Sequence, residues 1–206
     1  MRKSFVTFLQ NTNKSRKAIT AFGELSLNVL DIAQNSIRAK ATLIEIALEV
    51  RTDLNSLSIT IKDNGEGFDP NEYEKGKQTC TYGDRRNGMG ISLFRESAKI
   101  TGGDLKITSQ KGSGTSLTAN YALDSPHRMP IGDINATVEA LILCCKDTDF
   151  IYTYTVDGES FTLDTLQMKS ILSGIPIQTP EIMEYIRRFL TENTDLINKN
   201  KNFLKG

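Results

Sequence analysis

Two alternating segments joined by a short turn constrain this chain more than any other feature of it. TLIEIALEV places Ile44, Ile46, Leu48 and Val50 on one face and Glu45 and Glu49 on the other, and LSITIK repeats the pattern with Leu57, Ile59 and Ile61. A period of two is that of a strand with one buried face, so the pair predicts half of a sheet that must be covered on one side only. The turn between them falls at Thr52 to Ser56, and the second strand runs directly into Asp63-Asn64-Gly65-Glu66-Gly67-Phe68.

What can cover that sheet stands just before it. Glu24 to Arg38 (ELSLNVLDIAQNSIR) has no Gly or Pro, and Glu24, Asn28, Asp31, Asn35 and Arg38 recur at helical spacing. The pattern predicts a helix with one polar stripe on an otherwise apolar surface. Residues 69 to 87 are polar with few apolar anchors and predict a long loop, a length more often functional than idle. The loop ends at Asn87-Gly88-Met89-Gly90, and a helix from about Ile91 to Thr101 stops at Gly102-Gly103, the expected glycine stop. LKITS and TSLTANY around Lys111-Gly112-Ser113-Gly114 form a hairpin, closing an α/β unit over residues 23 to 122 behind an N-terminal arm of residues 1 to 22.

Residues 123 to 206 predict a smaller α+β region. A linker, DSPHRMP, precedes a helix from Asp133 to Lys146, a hairpin turning on Asp157-Gly158, and helices around Leu166 to Leu172 and Pro180 to Glu192. Phe150, Tyr152 and Tyr154 alternate with Ile151, Thr153 and Thr155, so one face of that hairpin is aromatic and is expected to lie under the C-terminal helices. Cys144 and Cys145 follow Leu141-Ile142-Leu143 and read as core rather than as a redox or metal pair.

Charge narrows the function. Lys plus Arg and Asp plus Glu are 25 each, a net charge of zero, so no bulk field gathers nucleic acid or anionic lipid. Three cysteines are too few for a disulfide framework. The N-terminus lacks the apolar core of a secretory signal, and no apolar run reaches the roughly 18 residues of a membrane span. The expectation is a cytoplasmic protein with no nucleic-acid or membrane partner.

Three segments carry oxygen ligands and anion-binding backbone at useful places. Asp31 and Asn35 stand four apart on the helix and project side by side, a carboxylate able to orient or deprotonate an attacking water beside an amide oxygen suited to Mg2+. Arg38, one turn on, can reach a phosphate. Asp63 at a strand end can accept a hydrogen bond from an exocyclic amine such as that of adenine, with Gly65 and Gly67 allowing close approach. Gly88 and Gly90 open a helix whose free N–H groups suit a phosphate chain, with Arg85 and Arg86 nearby. Each segment alone has a plainer reading, as a solvated stripe, a turn or a packing glycine; their order along the chain is what favours a nucleotide.

In that order the three boxes resemble the ATPase superfamily of DNA gyrase, heat-shock chaperone, histidine kinase and MutL, over about residues 23 to 122. The resemblance implies a Bergerat-type ATP-binding fold, a two-layer α/β sandwich of a mixed sheet with helices on one face, and ATP and Mg2+ as ligands. It further implies that Asn35 ligates Mg2+, that Asp31 stands at the catalytic carboxylate position of the hydrolytic and anti-sigma-factor branches, and that Asp63 binds adenine with support from Thr115 through water. Arg38 matches the basic residue three past the Asn in histidine kinases, and Gly65, Gly67, Gly88 and Gly90 the glycines of the pocket and lid. Ala39 replaces an aromatic residue frequent in histidine kinases, and their phenylalanine-containing box is missing. The only histidine, His127, follows the nucleotide unit and reads as a bystander, which argues against autophosphorylation on histidine. Three functions stay open: a kinase acting on Ser or Thr of a protein partner, an ATPase switch, and an ATP-sensing module with negligible turnover.

Overall fold

The computed structural model of the chain describes residues 23–69 and 89–199. The expected N-terminal arm and nearly all of the expected long loop lie outside them. In chain order the elements are α1 (Leu25–Arg38), β1 (Leu43–Arg51), β2 (Ser56–Asp63), α2 (Met89–Ile100), β3 (Asp104–Gln110), β4 (Gly114–Ala122), α3 (Ile134–Cys144), β5 (Asp149–Val156), β6 (Glu159–Asp164), α4 (Thr165–Leu172) and α5 (Pro180–Asn198).

The strands form one six-stranded sheet in the order β3-β4-β2-β1-β5-β6. All neighbours are antiparallel except β1 and β5, which pair in parallel with Ile44 beside Phe150 and Val50 beside Val156. The sheet is therefore mixed. The C-terminal hairpin does not make a sheet of its own; it extends the first one from the β1 edge. Its turn forms on Asp157-Gly158 as expected, both at positive φ, the conformation that two-residue hairpin loops require.

Alternation decides which face is covered. Ile44, Ile46, Leu48 and Val50 are buried together with Leu57, Ile59, Ile61, Leu117, Ala119, Tyr121, Phe150, Tyr152 and Tyr154, all on the same side in the observed register. The opposite side is polar, with Thr60 paired to Thr118 and Thr153 to Thr162 by hydroxyl contacts of 3.0 Å. Helices pack on the apolar face: α2 against β3 and β4, α1 against β2, and α3 and α5 against β5, with α3 also touching α1 and α5. The aromatic face of the hairpin is covered as expected. Phe161 meets Phe189 of α5 edge to face at 5.8 Å, and the Tyr154 hydroxyl donates to Asn198 Oδ1 at 3.0 Å.

Two expectations about the C-terminal region need correction. Cys144 is exposed and only Cys145 is partly buried, because Leu143 and Cys144 fall on the solvent side of α3; the apolar core residues of α3 are Ile134, Val138, Leu141 and Ile142. The last helix also runs to Asn198, beyond Glu192, since Ile197 is still buried.

Because β1 is hydrogen-bonded on both sides, one cooperative unit is expected. Leu48→Ala should lower stability by about 2–5 kcal/mol, the usual range for a fully buried leucine. Urea unfolding followed by hydrogen exchange in β3–β4 and in β5–β6 should give coincident midpoints; separated midpoints would show two independent units.

Candidate functional site

The site residues gather at one end of the sheet because the register puts them there. Across that end, on the helix-covered side, Ser109, Thr115, Asp63, Ile44 and Phe150 stand side by side on β3, β4, β2, β1 and β5. Ile44 and Phe150 are buried apolar residues, whereas the first three are polar. The row changes from hydrocarbon to hydrogen-bonding groups where β2 meets β4.

Asp63 is held from two directions. Its Oδ1 accepts the Gly65 N–H at 2.9 Å, and its Oδ2 accepts the Ser36 hydroxyl at 2.6 Å. Ser36 also lies 3.4 Å from the Ile32 carbonyl, but one hydroxyl proton makes one strong bond, and the shorter, charge-assisted one to the carboxylate prevails. Opposite Asp63, Thr115 and Ser109 share a hydroxyl contact of 3.0 Å. Ser109 Oγ also accepts the Phe68 N–H at 2.9 Å. Ser36 and Ser109 were missed from sequence; the signal for Ser36 is a polar residue at helical spacing from Val29 and Ile32, on the side of α1 that has to be buried.

The Asp63–Phe68 turn is fixed mainly by protein contacts. The Asn64 side-chain oxygen accepts the N–H groups of Thr42 and Leu43, both at 2.9 Å, and so ties the end of β2 to the start of β1. Gly67 sits at φ +60°, and a Cβ there would run into the Gln110 carbonyl and lie 2.8 Å from that of Gly114. The space opened at Gly65 is likewise taken, by the Ala39 carbonyl at 2.7 Å. These glycines let the turn lie against α1 and the β3–β4 hairpin. Glu66 pairs with Lys40 at 2.6 Å, and that hydrogen bond and charge raise the Lys40 ammonium above its ordinary pKa.

On α1, Asp31 and Asn35 are half-buried on the stripe flanked by the buried residues Val29, Ile32, Ala33 and Ser36. The Asn35 side-chain oxygen accepts from the Arg38 guanidinium, which is exposed. Gly90, in the first turn of α2, lies directly over Asp31: a Cβ there would collide with Asp31 Oδ2 and stand 3.0 Å from its Cγ. The structure thus brings Asp31 to Gly90, Asn35 to Arg38, and Asp63 to Ser36 and Gly65, with Thr115 opposite. Arg85, Arg86 and Gly88 lie outside the described residues. An open depression of about 450 Å³ lined by Glu49, Arg51, Thr52, Asp53, Asp157 and Gly158 is at the far end of the sheet, where the β1–β2 and β5–β6 turns meet, and shares no residue with this site.

Comparison with known proteins gives one sequence match and several fold matches. The family of histidine kinase-, DNA gyrase B-, and HSP90-like ATPases matches residues 14–125. No curated relative matches the sequence. Among solved structures, the N-terminal domain of a DNA repair protein is 18% identical with a TM-score of 0.48, over 68% of this chain and 51% of that one; the present chain thus spans about half of it. The MutL ATPase domain of Aquifex aeolicus, complexed with ADP, is 16% identical with a TM-score of 0.42, over 73% and 69% of the two chains. The topoisomerase IV ATP-binding domain of Francisella tularensis is 14% identical with a TM-score of 0.41, over 74% and 93%.

The contact between α1 and α2 is testable without a ligand. Gly90→Ala should destabilise the fold by about 1–3 kcal/mol through overpacking against Asp31. Adding Asp31→Ala should recover most of that loss, giving a coupling well above the roughly 0.5 kcal/mol of independent sites; strict additivity in urea melts would mean the two residues do not touch.

Proposed function

Since the chain belongs to the histidine kinase-, DNA gyrase B- and HSP90-like ATPase family, in which ATP binding is implied by the domain, we propose that it binds Mg-ATP between α1, the ends of β2 and β4 and the start of α2. We assign it a regulatory role in signalling, by transfer of the terminal phosphoryl group to a protein partner or to water. The observation that carries this reading is that one helix serves both ends of such a ligand. Asp31 borders the start of α2, with Asn35 one turn along the same stripe, while the neighbouring Ser36 holds Asp63 at the sheet end.

The roles follow from donor and acceptor chemistry. Asp63 has a carboxylate oriented by two donors with lone pairs to spare, and an ionised carboxylate only accepts; it suits the exocyclic amine of adenine and not the carbonyl of guanine. Thr115, beside it in register, completes the base end, with Gly65 and Gly67 shaping the turn beneath. The first turn of α2 at Gly90, with Gly88, Arg85, Arg86 and Arg38, would hold the phosphates.

Magnesium fits the donor set. Asn35 offers a neutral oxygen whose present partner, Arg38, is exposed and able to swing away, and a cation that keeps several waters needs few protein ligands. When bound, the ion would offset the charge of the phosphates. Asp31 would accept the proton of the attacking hydroxyl or water as the bond to the terminal phosphorus forms and the bond to ADP breaks. A second reading, ATP sensing without turnover, is favoured by the packing of Gly90 on Asp31, which engages the carboxylate with protein.

The test follows ATP labelled at the terminal phosphate, with magnesium, through nucleotide, free phosphate and protein label. The expected result is bound ATP with label passing to phosphate or to a supplied partner. Asp31→Asn should slow that transfer about 10²–10⁴-fold, the range for a general base, while binding persists. Asp63→Asn should abolish binding. Wild-type protein that binds no ATP would overturn the reading, an unchanged transfer rate in Asp31→Asn would remove Asp31 as the base, and ATP that stays bound and intact would leave the sensing role.

A further inference from the structure

Helix α1 is gripped at its start by residues that follow Ala122. The first N–H groups of a helix have no partner within it, and the N-cap side chain, Glu24, caps none of them, its carboxylate accepting the Ser26 hydroxyl at 3.2 Å instead. Here the Pro130 and Ile131 carbonyls fill the gap, accepting the N–H groups of Leu25 and Ser26, both at 2.9 Å. The same strap touches the polar stripe itself. Buried Met129 presents its sulfur to the Asn28 amide at 4.0 Å, and Asn28 lies one turn before Asp31.

The strap is itself anchored. Arg128 donates from Nε to the Leu123 carbonyl at 2.9 Å and from Nη1 to the Met129 carbonyl at 3.1 Å, and Leu123 donates its N–H to the Asn55 carbonyl at 3.0 Å. Gly132, at φ +73°, turns the chain from the strap toward α3; a Cβ there would run into Glu24 Oε2 and Ser26 Oγ and lie 2.7 Å from Glu24 Cβ. In the connection from α1 to β1, the buried Thr148 hydroxyl donates to the Ala41 carbonyl at 3.0 Å, and the Asp149 N–H to that of Thr42 at 2.8 Å. The segment that sequence reads as a linker is a strap over the start of α1.

We propose that Met129 and Gly132 are positioning residues for the phosphate side of the site: the strap they form sets where α1 sits over the sheet, and hence where Asp31 and Asn35 stand relative to Asp63. This rests on the ATP reading above. Asp31 and Asn35 are carried by the strapped helix, whereas Asp63 and Thr115 are carried by strands and Asp63 keeps the Gly65 N–H when the Ser36 hydroxyl shifts, so a loosened strap disturbs the phosphate side more than the base side.

The experiment uses full-length protein and measures affinity for Mg-ATP and for adenosine. Gly132→Ala should weaken Mg-ATP about ten- to a hundredfold, as the loss of a hydrogen bond to a charged group does, and adenosine by clearly less. Met129→Leu, which keeps the volume and removes the sulfur, should give a smaller loss of the same selectivity and stands in if Gly132→Ala does not fold. Gly158→Ala, also at positive φ (+86°) but in the β5–β6 turn, controls for strain and should change neither affinity. Equal losses for both ligands, or none in either strap variant, would overturn the positioning role. A wild-type chain that binds neither ligand would overturn the ATP reading itself.

Discussion

Everything at the candidate site depends on a helix that has to bury one stripe and keep the adjoining one wet. Val29, Ile32 and Ala33 of α1 lie in the core, which fixes the helix rotation and sets Asp31 against Gly90 at the start of α2, with Asn35 one turn along the same stripe. Ser36 falls on the buried side, where an unpaired hydroxyl would be unfavourable, and its partner is the one carboxylate at the adjoining strand end. Burial and site geometry are therefore not separate matters. The same rotation that hides the apolar stripe aims the polar one and places the hydroxyl that orients Asp63.

The sheet supplies the second constraint. Asp63 sits at the last position of β2, opposite Thr115 of β4 and beside Ile44 of β1, so a shift of either pairing by one residue would send it to the other face. The buried rows forbid such a shift, since it would expose Ile59, Ile61, Leu117 and Ala119 together. The C-terminal region strengthens the arrangement from outside: β5 closes the free edge of β1 and α3 packs on α1. Among the described residues no helix is long and apolar enough to cross a membrane.

Much of this was legible in the sequence because period and position carry it. Strict alternation in β1, β2 and β5 marked the covered face, and the spacing of Asp31, Asn35 and Arg38 marked the stripe. Asp63 was recognisable because a strand runs straight into its glycine turn. What was not legible depends on contacts between distant segments. Gly65 and Gly67 look like room for a ligand in sequence, whereas in the fold Ala39, Gln110 and Gly114 take that room. Ser36 and Ser109 gain meaning only once helix and strands are registered, and DSPHRMP looks like a linker because the bonds that Pro130 and the following Ile131 make to α1 run through their carbonyls. Cys144 escaped for a similar reason: a continuous apolar run, Leu141 to Cys145, does not say which of its residues face the core.

The most direct test of the central claim is to map amide chemical-shift changes on adding Mg-ATP to the full-length protein. The account predicts changes along Asp31 to Arg38, at Asp63 to Gly67, and at Ser109 and Thr115, with Thr52, Asp53 and Asp157 at the far end of the sheet unaffected. Changes confined to the far end, or none at saturating nucleotide, would contradict it.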